Sequence, residues 1–240
     1  MYYFNIFNDV TGFMIETPNT NFQNIYSQIR FEFGYPLLKD YISAIILNQL
    51  IKNPVTIEKL QMKIQDKDCY IYGFSVNLEE EIERSETSKG SEDNILRIAT
   101  DASVVVLKRF NIIPDIIVTD LDGDVNTQIE FNKRKSIVVI HAHGDNISKI
   151  IDYVPRFTGD ILGTVQVKPF DKVHNLGGFT DGDRAYCIAK HFDAKRIFLI
   201  GFDFDNPRVK PGTDLILKKK KLVWARRRVE SWNSSSQYRF

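Results

Sequence analysis

Apolar residues near the start of the chain recur every three or four positions, which is the spacing of one face of an α-helix. The pattern occupies residues 21–53 and stops before Pro54, a residue that ends most helices. Its members are Ile25, Ile29, Phe33, Leu37, Leu38, Tyr41, Ile42, Ile45, Ile46 and Leu50. This spacing predicts two or three helices, with a domain boundary near residue 60.

Beyond that boundary, short β-branched runs alternate with amphipathic segments. Strands are predicted at residues 69–73, 95–99, 115–118, 136–140, 161–167 and 196–200. Helices are predicted at residues 102–110, 147–153 and 183–192, and again in the C-terminal segment. Such alternation is typical of an α/β fold with a mostly parallel, Rossmann-like sheet flanked by helices. We therefore expect an N-terminal helical region at residues 1–60 and an α/β catalytic domain at residues 61–240.

Composition and charge exclude several classes of protein. The 240 residues include 32 Lys and Arg and 31 Asp and Glu, a balance that gives no electrostatic reason to expect nucleic-acid or membrane binding. The two cysteines are too few for a disulfide framework, which favours a reducing compartment. No apolar stretch approaches the roughly 18 to 20 residues that a membrane span requires. We expect a soluble, cytoplasmic protein whose oligomeric state stays open, a homo-oligomer included.

Acidic residues cluster at the ends of the predicted strands. They are Asp101, Asp120, Asp122, Asp124, Asp145, Asp181 and Asp183. Ligands of parallel sheets bind outside the carboxyl ends of the strands. Unpaired carboxylates repel one another and are costly to desolvate, so a cation is expected between them. Because Mg²⁺ prefers oxygen ligands and is often shared with substrate phosphates, the sequence predicts a metal-dependent enzyme that acts on phosphate groups.

Asp120 and Asp122 are the first candidates for Mg²⁺ ligands. Residues two apart on a strand point to the same face, provided that the strand geometry continues as far as Asp122. Gly123 permits a tight turn directly after them. The alternative is an acidic loop that caps the next helix. Asp115 precedes its strand and is expected to be a turn residue or a hydrogen-bond acceptor that stabilises the fold.

His141 and His143 follow an apolar run and alternate along one predicted strand. Such a pair can ligate a transition metal or donate hydrogen bonds to phosphate oxygens. The run His-Ala-His-Gly-Asp-Asn is also similar to the His-x-His-x-Asp-His signature of metallo-β-lactamase-type zinc hydrolases, but Asn146 stands at the position of the final histidine. Helices and βαβ units replace the repeated strands of those hydrolases, so zinc chemistry is disfavoured.

Residues 175–184 form a glycine-rich segment that leads into a predicted helix. Such a segment presents free N–H groups to a phosphate at Gly178, with Thr180 as an extra donor and Arg184 as a guanidinium that can fork onto phosphate oxygens. The alternative is a helix cap in which Asp181 is the N-cap and Arg184 pairs with it, and both interpretations can hold together. No P-loop sequence is present, which excludes an ordinary P-loop kinase.

Four segments together resemble the archaeal 6-hydroxymethyl-7,8-dihydropterin pyrophosphokinase family, whose α/β core is similar to that of thiamin pyrophosphokinase. They are residues 114–123 (PDIIVTDLDG), 141–146 (HAHGDN), 175–185 (NLGGFTDGDRA) and 199–204 (LIGFDF). Their order and spacing make the resemblance specific, and it extends over roughly residues 70–225. The chain departs from the family at residues 73–78 (GFSVNL), where Gly-x-Gly-Pro-Ser-Leu is usual, and at residues 101–103 (DAS), where Asp-Gly-Ala is usual.

The resemblance implies that diphosphate is transferred from ATP to the hydroxymethyl oxygen of 6-hydroxymethyl-7,8-dihydropterin, with release of AMP, for folate- or methanopterin-type cofactor synthesis. Mg²⁺ is the implied cofactor, with Asp120 and Asp122 as ligands and Asp101 and Asp183 in support. Asp145 or Asp181 would orient the substrate hydroxyl or a metal-bound water, and which of the two acts as general base stays open. Contacts with phosphate or with pterin edges are assigned to His141, His143 and Asn146. Contacts with phosphate alone are assigned to Gly178, Thr180, Arg184 and Lys221, of which Lys221 would reach the triphosphate. A second basic run, Arg226 to Arg228, is expected to be a solvated face.

Two other classes of function stay open. Bacterial sugar transferases of the flagellin-modification type share a related core, so a sugar-nucleotide (nonulosonate) transferase is the first alternative. Those chains are usually much longer than this one. A non-catalytic nucleotide-binding module is the second alternative, but such a module is expected to have lost acids from the cluster, and none of the principal acids is missing here.

Overall fold

A computed structural model describes residues 20–87, 94–206, 208 and 214–233. Within these residues, seven strands form one sheet in which every pair of neighbours is parallel. The strands are β1 (Asp68–Tyr72), β2 (Ile95–Thr100), β3 (Ile116–Thr119), β4 (Ile137–Ala142), β5 (Ile161–Val165), β6 (Val173–His174) and β7 (Arg196–Ile200). Their order across the sheet is β6-β5-β4-β3-β2-β1-β7. The chain therefore adds strands in one direction from β1 to β6 and then places β7 on the other side of β1.

Helices surround the sheet. In chain order they are α1 (Thr20–Phe33), α2 (Leu37–Leu50), α3 (Ile57–Ile64), α4 (Leu78–Thr87), α5 (Val104–Arg109), α6 (Val125–Lys133), α7 (Ile147–Tyr153), α8 (Asp181–His191) and α9 (Leu215–Asn233). The predicted α/β fold with a helical N-terminal part is confirmed. Each strand or helix that was predicted with bounds beyond residue 60 begins and ends within two residues of the observed element. No helix or strand was predicted at the positions of β6, α3, α4 and α6. In the part of the chain described, no helix is both long and apolar enough to cross a lipid bilayer.

Apolar side chains cover both faces of the sheet. On one face, α2 and α4 to α7 pack against the strands, and on the other face α3 and α8 do so. All six residues of β4 are buried, as expected for a parallel strand that is covered on both sides. Because both faces are closed, ligands can approach the strands only at their ends.

A third, smaller apolar cluster joins α1 to α9. Its members are Phe22, Ile25, Tyr26, Ile29, Phe33, Phe179 and Trp224. The Arg228 guanidinium lies over the Phe22 ring, 5.0 Å from the ring centre, and Arg228 is only 7% exposed. The expectation of a solvated face is therefore wrong for Arg228, because α1 covers this side of α9. Arg227 is exposed, as expected.

The apolar stripe of α2 lies on the outer side of that helix. Leu38, Tyr41, Ile42 and Ile45 are between 37% and 70% exposed. The buried residues of α2 are Asp40, Ser43, Ala44 and Leu47. The helical spacing predicted this helix correctly, but the side that faces the protein includes an acid. That side borders the cavity described next.

Candidate active site

A cavity of about 330 Å³ opens at the carboxyl edge of the sheet. The strand order places the loop after β4 on one side of the cavity, the acids after β3 and β2 in the middle, and the loops after β1 and β7 on the other side. Residues of α1, α2, α9 and the start of α8 complete its wall. In doubly wound sheets the crevice where the strand order reverses, here between β1 and β7, is the usual position of a ligand.

Three carboxylates, which we call the three-acid cluster, meet in the middle of the cavity. Asp101 follows β2, Asp120 follows β3 and Asp181 begins α8, and one ligand atom of each lies within 4.8 Å of the others. Asp120 Oδ1 is buried and has no hydrogen-bond partner among the described residues. Carboxylate oxygens are the ligands that Mg²⁺ prefers, and coordination would account for the unpaired oxygen. The donor set therefore fits a hard divalent cation.

Neighbouring residues hold Asp101 in place. Its Oδ1 accepts hydrogen bonds from Thr119 Oγ1 at 2.6 Å and from Gln128 Nε2 at 3.0 Å. Its Oδ2 lies against Gly123, where a Cβ atom would come within 2.4 Å of that oxygen. Glycine is required at this position because any side chain would push the loop after β3 away from Asp101. The two strand ends can therefore bring their acids together.

The acids of the cluster repel one another. Burial raises the pKa of Asp181 well above its ordinary value of 3.8, and the charge of Asp120 raises it further. The charges of Asp101 and Asp122 act in the same direction, whereas the Arg184 guanidinium opposes them. A cation bound among the acids would remove this repulsion.

Asp122 lies at the rim of the cavity and not in the three-acid cluster. β3 ends at Thr119, and Leu121 has a positive φ of 66°, so the strand geometry that would turn Asp120 and Asp122 to one face does not continue. The Leu121 N–H donates to Thr119 Oγ1 at 2.8 Å, which fixes the turn. Asp122 is exposed and lines the cavity. It therefore borders the cavity without belonging to the three-acid cluster.

The glycine-rich segment enters α8 through a tight cap. Asp183 accepts hydrogen bonds from Phe179 N at 2.8 Å, from Thr180 N at 2.6 Å and from Thr180 Oγ1 at 2.6 Å. Both Asp183 oxygens are therefore engaged within the protein. Thr180 is the N-cap, so the alternative in which Asp181 is the N-cap is wrong. Gly178 has a φ of +85°, and a Cβ there would lie 2.3 Å from the backbone of α8.

Arg184 is fully buried and is not among the residues that line the cavity. Its Nη1 donates to Gly177 O at 3.0 Å, whereas Nε and Nη2 have no hydrogen-bond partner in the described chain. Burial lowers the pKa of Arg184 below its ordinary value, and the charges of Asp183 and Asp181 oppose that shift. In this arrangement the guanidinium is a fixed positive charge near the acids, and a contact with phosphate would require it to move.

Asn146 clips the loop between β4 and α7. Its Oδ1 accepts from His143 N at 3.1 Å, and its Nδ2 donates to His141 O at 2.7 Å and to Asp120 O at 2.9 Å. Asn146 is buried and does not line the cavity. Its amide therefore holds the loop against the end of β3. Because both amide atoms are engaged in these hydrogen bonds, Asn146 has little capacity to bind a phosphate or a pterin.

The two histidines have different surroundings. His141 Nδ1 lies 3.1 Å from Thr164 O, and burial lowers the pKa of His141 well below 6.5, so the ring is neutral with its proton on Nδ1. His141 Nε2 is buried without a partner among the described residues. His143 Nδ1 accepts from Asp145 N at 3.3 Å, which leaves Nε2–H facing Asp120 Oδ2 at 3.4 Å. Asp145 is exposed, and it lines the cavity together with His141 and His143.

α9 brings basic side chains to the cavity. Lys221 Nζ lies 5.7 Å from the centre of the Tyr35 ring. Lys218 Nζ donates to Arg208 O at 2.6 Å. Both lysines line the cavity. The sequence singled out Lys221 from the basic run at residues 218–221 (KKKK), but it gave no reason to choose Lys218 as well.

Sequence reasoning missed the residues that α1 and α2 contribute. Asp40 is 3% exposed and lines the cavity. It accepts hydrogen bonds from Tyr26 Oη at 2.5 Å and from Gly144 N at 2.9 Å. Aromatic residues also line the cavity, namely Tyr35, Phe74, Phe179, Phe202 and Phe204. The available signal was Asp40 itself, an acid within an otherwise apolar helical pattern, whereas an aromatic residue after a strand is hard to distinguish from core.

Comparison with known proteins identifies the family. The family model described as 6-hydroxymethylpterin diphosphokinase MptE-like matches residues 45–208. The 6-hydroxymethyl-7,8-dihydropterin pyrophosphokinase of Methanocaldococcus jannaschii is 40% identical over 187 residues, which are 75% of this chain and 77% of that protein. The protein of the same name from Pyrococcus furiosus is 37% identical over 212 residues, which are 87% of this chain and 84% of that protein. The resemblance drawn from the four sequence segments is thereby confirmed, and the chain belongs to the MptE-like 6-hydroxymethylpterin diphosphokinase family.

Proposed function

We propose that the chain transfers diphosphate from ATP to the hydroxymethyl group of 6-hydroxymethyl-7,8-dihydropterin in an Mg²⁺-dependent reaction that yields AMP and the pterin diphosphate. The observation that carries the proposal is the three-acid cluster, whose ligand atoms lie within 4.8 Å of one another in a cavity that Lys218 and Lys221 also line. The name shared by the relatives, 6-hydroxymethyl-7,8-dihydropterin pyrophosphokinase, supports the choice of substrate.

Asp101, Asp120 and Asp181 would hold the metal, and Asp122 lies at the rim of the same cavity. When bound, Mg²⁺ would neutralise part of the triphosphate charge and orient the phosphates. Asp183 was a candidate ligand from the sequence, but both of its oxygens are engaged in the cap of α8. We therefore give its place to Asp181.

The nucleotide fits the side of the cavity next to β1 and β7, where the strand order reverses. The backbone segments after β1 and β7 lie close to each other there, since a Cβ at Gly73 would lie 2.6 Å from Gly201 O. Phe74 and Phe202 line this side and offer flat apolar surface to a purine ring. The lysines of α9 would face the phosphates and offset their charge.

The reacting group is the hydroxymethyl oxygen of the pterin. It forms a bond to the β-phosphorus of ATP, while the bond from the β-phosphorus to the oxygen that bridges to the α-phosphorus breaks, so that AMP leaves. The hydroxyl proton passes to a carboxylate. Because Asp181 belongs to the three-acid cluster, we assign the proton to Asp145, which is exposed in the cavity next to His143.

The test is to incubate the purified protein with ATP, Mg²⁺ and 6-hydroxymethyl-7,8-dihydropterin. We expect AMP to form only when the pterin is present, and the pterin to gain the mass of a diphosphoryl group. A reaction with EDTA in place of Mg²⁺ is the metal control. If folded protein that binds ATP released no AMP, the proposal would be wrong, and a sugar-nucleotide transferase or a nucleotide-binding module would be favoured.

The cellular setting is part of the same proposal. Cys69 and Cys187 are both free and buried, which suits a reducing compartment such as the cytoplasm. The product would supply a folate- or methanopterin-type carrier.

A further inference from the structure

Asp40 is a buried carboxylate that the proposed chemistry does not use. It is 3% exposed, lines the cavity and lies on α2, which packs against β4 and β5. Its Oδ2 accepts a hydrogen bond from Tyr26 Oη at 2.5 Å, and its Oδ1 accepts one from Gly144 N at 2.9 Å. Both donors are neutral, and each carboxylate oxygen can accept a second hydrogen bond. A carboxylate in such a place is costly to bury, and a ligand with further donors would offset that cost.

A second acceptor lies on the same side of the cavity. His141 is 3% exposed, and its Nε2 has no hydrogen-bond partner among the described residues. Because His141 Nδ1 faces Thr164 O at 3.1 Å, Nε2 is the nitrogen left to accept. Buried polar atoms without partners are rare. One that lines a cavity points to a ligand that donates a hydrogen bond there.

Aromatic rings line the same cavity as these two acceptors. The ring centres of Phe33 and Tyr35 are 5.5 Å apart, and those of Phe33 and Phe179 are 5.6 Å apart. Tyr35 and Phe179 line the cavity. A flat heteroaromatic ring with donors along one edge matches this combination of aromatic wall and acceptors. A phosphate group does not match it, because phosphate is anionic and would face the carboxylate of Asp40.

We infer that Asp40 recognises the pyrimidine edge of the pterin, where the 2-amino group and N3–H are adjacent donors that one carboxylate can accept together. His141 Nε2 accepts from a further ring N–H. The inference rests on the proposed function for the identity of the ring. The strand order then places the pterin beside β4 and β5 and ATP beside β1 and β7. The three-acid cluster, after β2 and β3, lies between the two substrates, where the hydroxymethyl oxygen has to meet the β-phosphorus.

The test uses two ligands that differ at this edge. The first is 6-hydroxymethylpterin, and the second is 6-hydroxymethyllumazine, which has a carbonyl in place of the 2-amino group. Binding of each is followed by ligand fluorescence without ATP. We expect the wild-type protein to prefer the pterin by about 10- to 100-fold, because the lumazine loses a charge-assisted hydrogen bond and turns a carbonyl toward Asp40.

The variant Asp40→Asn is expected to weaken pterin binding by about the same factor and to reverse the preference, since an amide can donate to the lumazine carbonyl. Tyr26→Phe leaves the carboxylate in place and should keep the pterin preference. Asp203 follows β7 and lines the cavity on the side opposite β4. Asp203→Asn is therefore the matched acid-to-amide change, and it should also keep that preference.

Two results would overturn the inference. The first is an Asp40→Asn protein that loses affinity for both ligands equally, since Asp40 would then only anchor the loop at Gly144. The second is wild-type protein that binds the two ligands equally or does not bind the pterin, a measurement that decides the matter even if the variant fails to fold. Wild-type protein that prefers the pterin but forms no pterin diphosphate would instead contradict the proposed function.

Discussion

Acids at the two edges of the sheet have opposite surroundings. At the amino edge, Asp68 accepts hydrogen bonds from Arg196 Nε at 2.8 Å and Nη2 at 2.5 Å, and Asp115 accepts one from Lys63 Nζ at 3.0 Å. The hydrogen bond from Arg196 lowers the pKa of Asp68. At the carboxyl edge, the three-acid cluster has its ligand atoms within 4.8 Å, and burial together with the other acids raises the pKa of Asp181.

The contrast separates acids that stabilise the fold from acids that we propose bind a metal. Asp115 also accepts from Arg97 N at 2.9 Å, which confirms the prediction that it is a fold-stabilising acceptor. A paired acid contributes to stability without a ligand, whereas mutually close acids lower the stability of the metal-free protein. Removing an acid should therefore affect mainly activity at one edge and mainly stability at the other.

The largest effect is expected for Asp120→Asn. The substitution keeps the size of the side chain but removes the ligand charge and replaces one of the two carboxylate oxygens with an amide nitrogen, which does not bind a metal. We expect kcat/KM for pterin-dependent AMP formation to fall by about 10²- to 10³-fold, because charge stabilisation at the phosphates depends on the metal. The thermal midpoint of the metal-free protein should stay unchanged or rise, since one repulsive charge is gone. The AMP assay and thermal unfolding followed by circular dichroism measure the two effects.

The matched control for this prediction is Asp160→Asn, because Asp160 lies at the amino edge, directly before β5. Asp160 pairs with Lys59 Nζ at 2.6 Å. AMP formation by this variant should equal that of the wild-type protein. Wild-type activity in Asp120→Asn would show that the three-acid cluster does not hold the catalytic metal.

A smaller effect is expected in the pH dependence of stability. The folded-state pKa of Asp181 is raised, so its contribution to stability is fully present below its ordinary pKa and is lost as the pH rises through the raised value. The thermal midpoint in EDTA should therefore fall over that range, and Mg²⁺ should restore it by binding the folded state. The measurement is thermal unfolding over a pH series with EDTA or with Mg²⁺. As a control, Asp181→Asn should lack the decline of the thermal midpoint in EDTA. A stabilisation by Mg²⁺ that does not grow with pH would contradict the prediction.

The positions of most elements could be predicted because the sheet is covered on both faces, which makes each central strand a short apolar run. β6 has only two residues and carries no pattern of its own. The orientation of α2 could not be predicted, since Asp40 and its partner Gly144 are 104 residues apart in the sequence. Periodicity places a helix, but long-range contacts decide which of its sides faces the protein.

The acids of the site could be predicted from their positions at the strand ends. The hydrogen-bond partners of their oxygens could not be predicted in this way. Asp181 and Asp183 both stand at the start of α8, and the expectation made Asp183 a supporting metal ligand and Asp181 a candidate general base. Thr180 and the preceding backbone engage Asp183 in the cap, which leaves Asp181 to join the cluster. Asn146 is a similar case, because its amide bonds to the backbone after β3 and β4.

The smallest effect is expected for Asp68→Asn at the amino edge. The Arg196 side chain of this pair is 61% exposed, and solvent screening makes exposed ion pairs weak. The folded-state pKa of Asp68 lies below its ordinary value of 3.8, so its contribution is present above that pH and is lost as the pH falls through the lowered value. We expect the variant to unfold a few degrees below the wild-type protein at neutral pH, with the difference vanishing in acid and AMP formation unchanged. A large loss of activity would instead mean that β1 couples the two edges, and the division between stabilising and ligand-binding acids would fail.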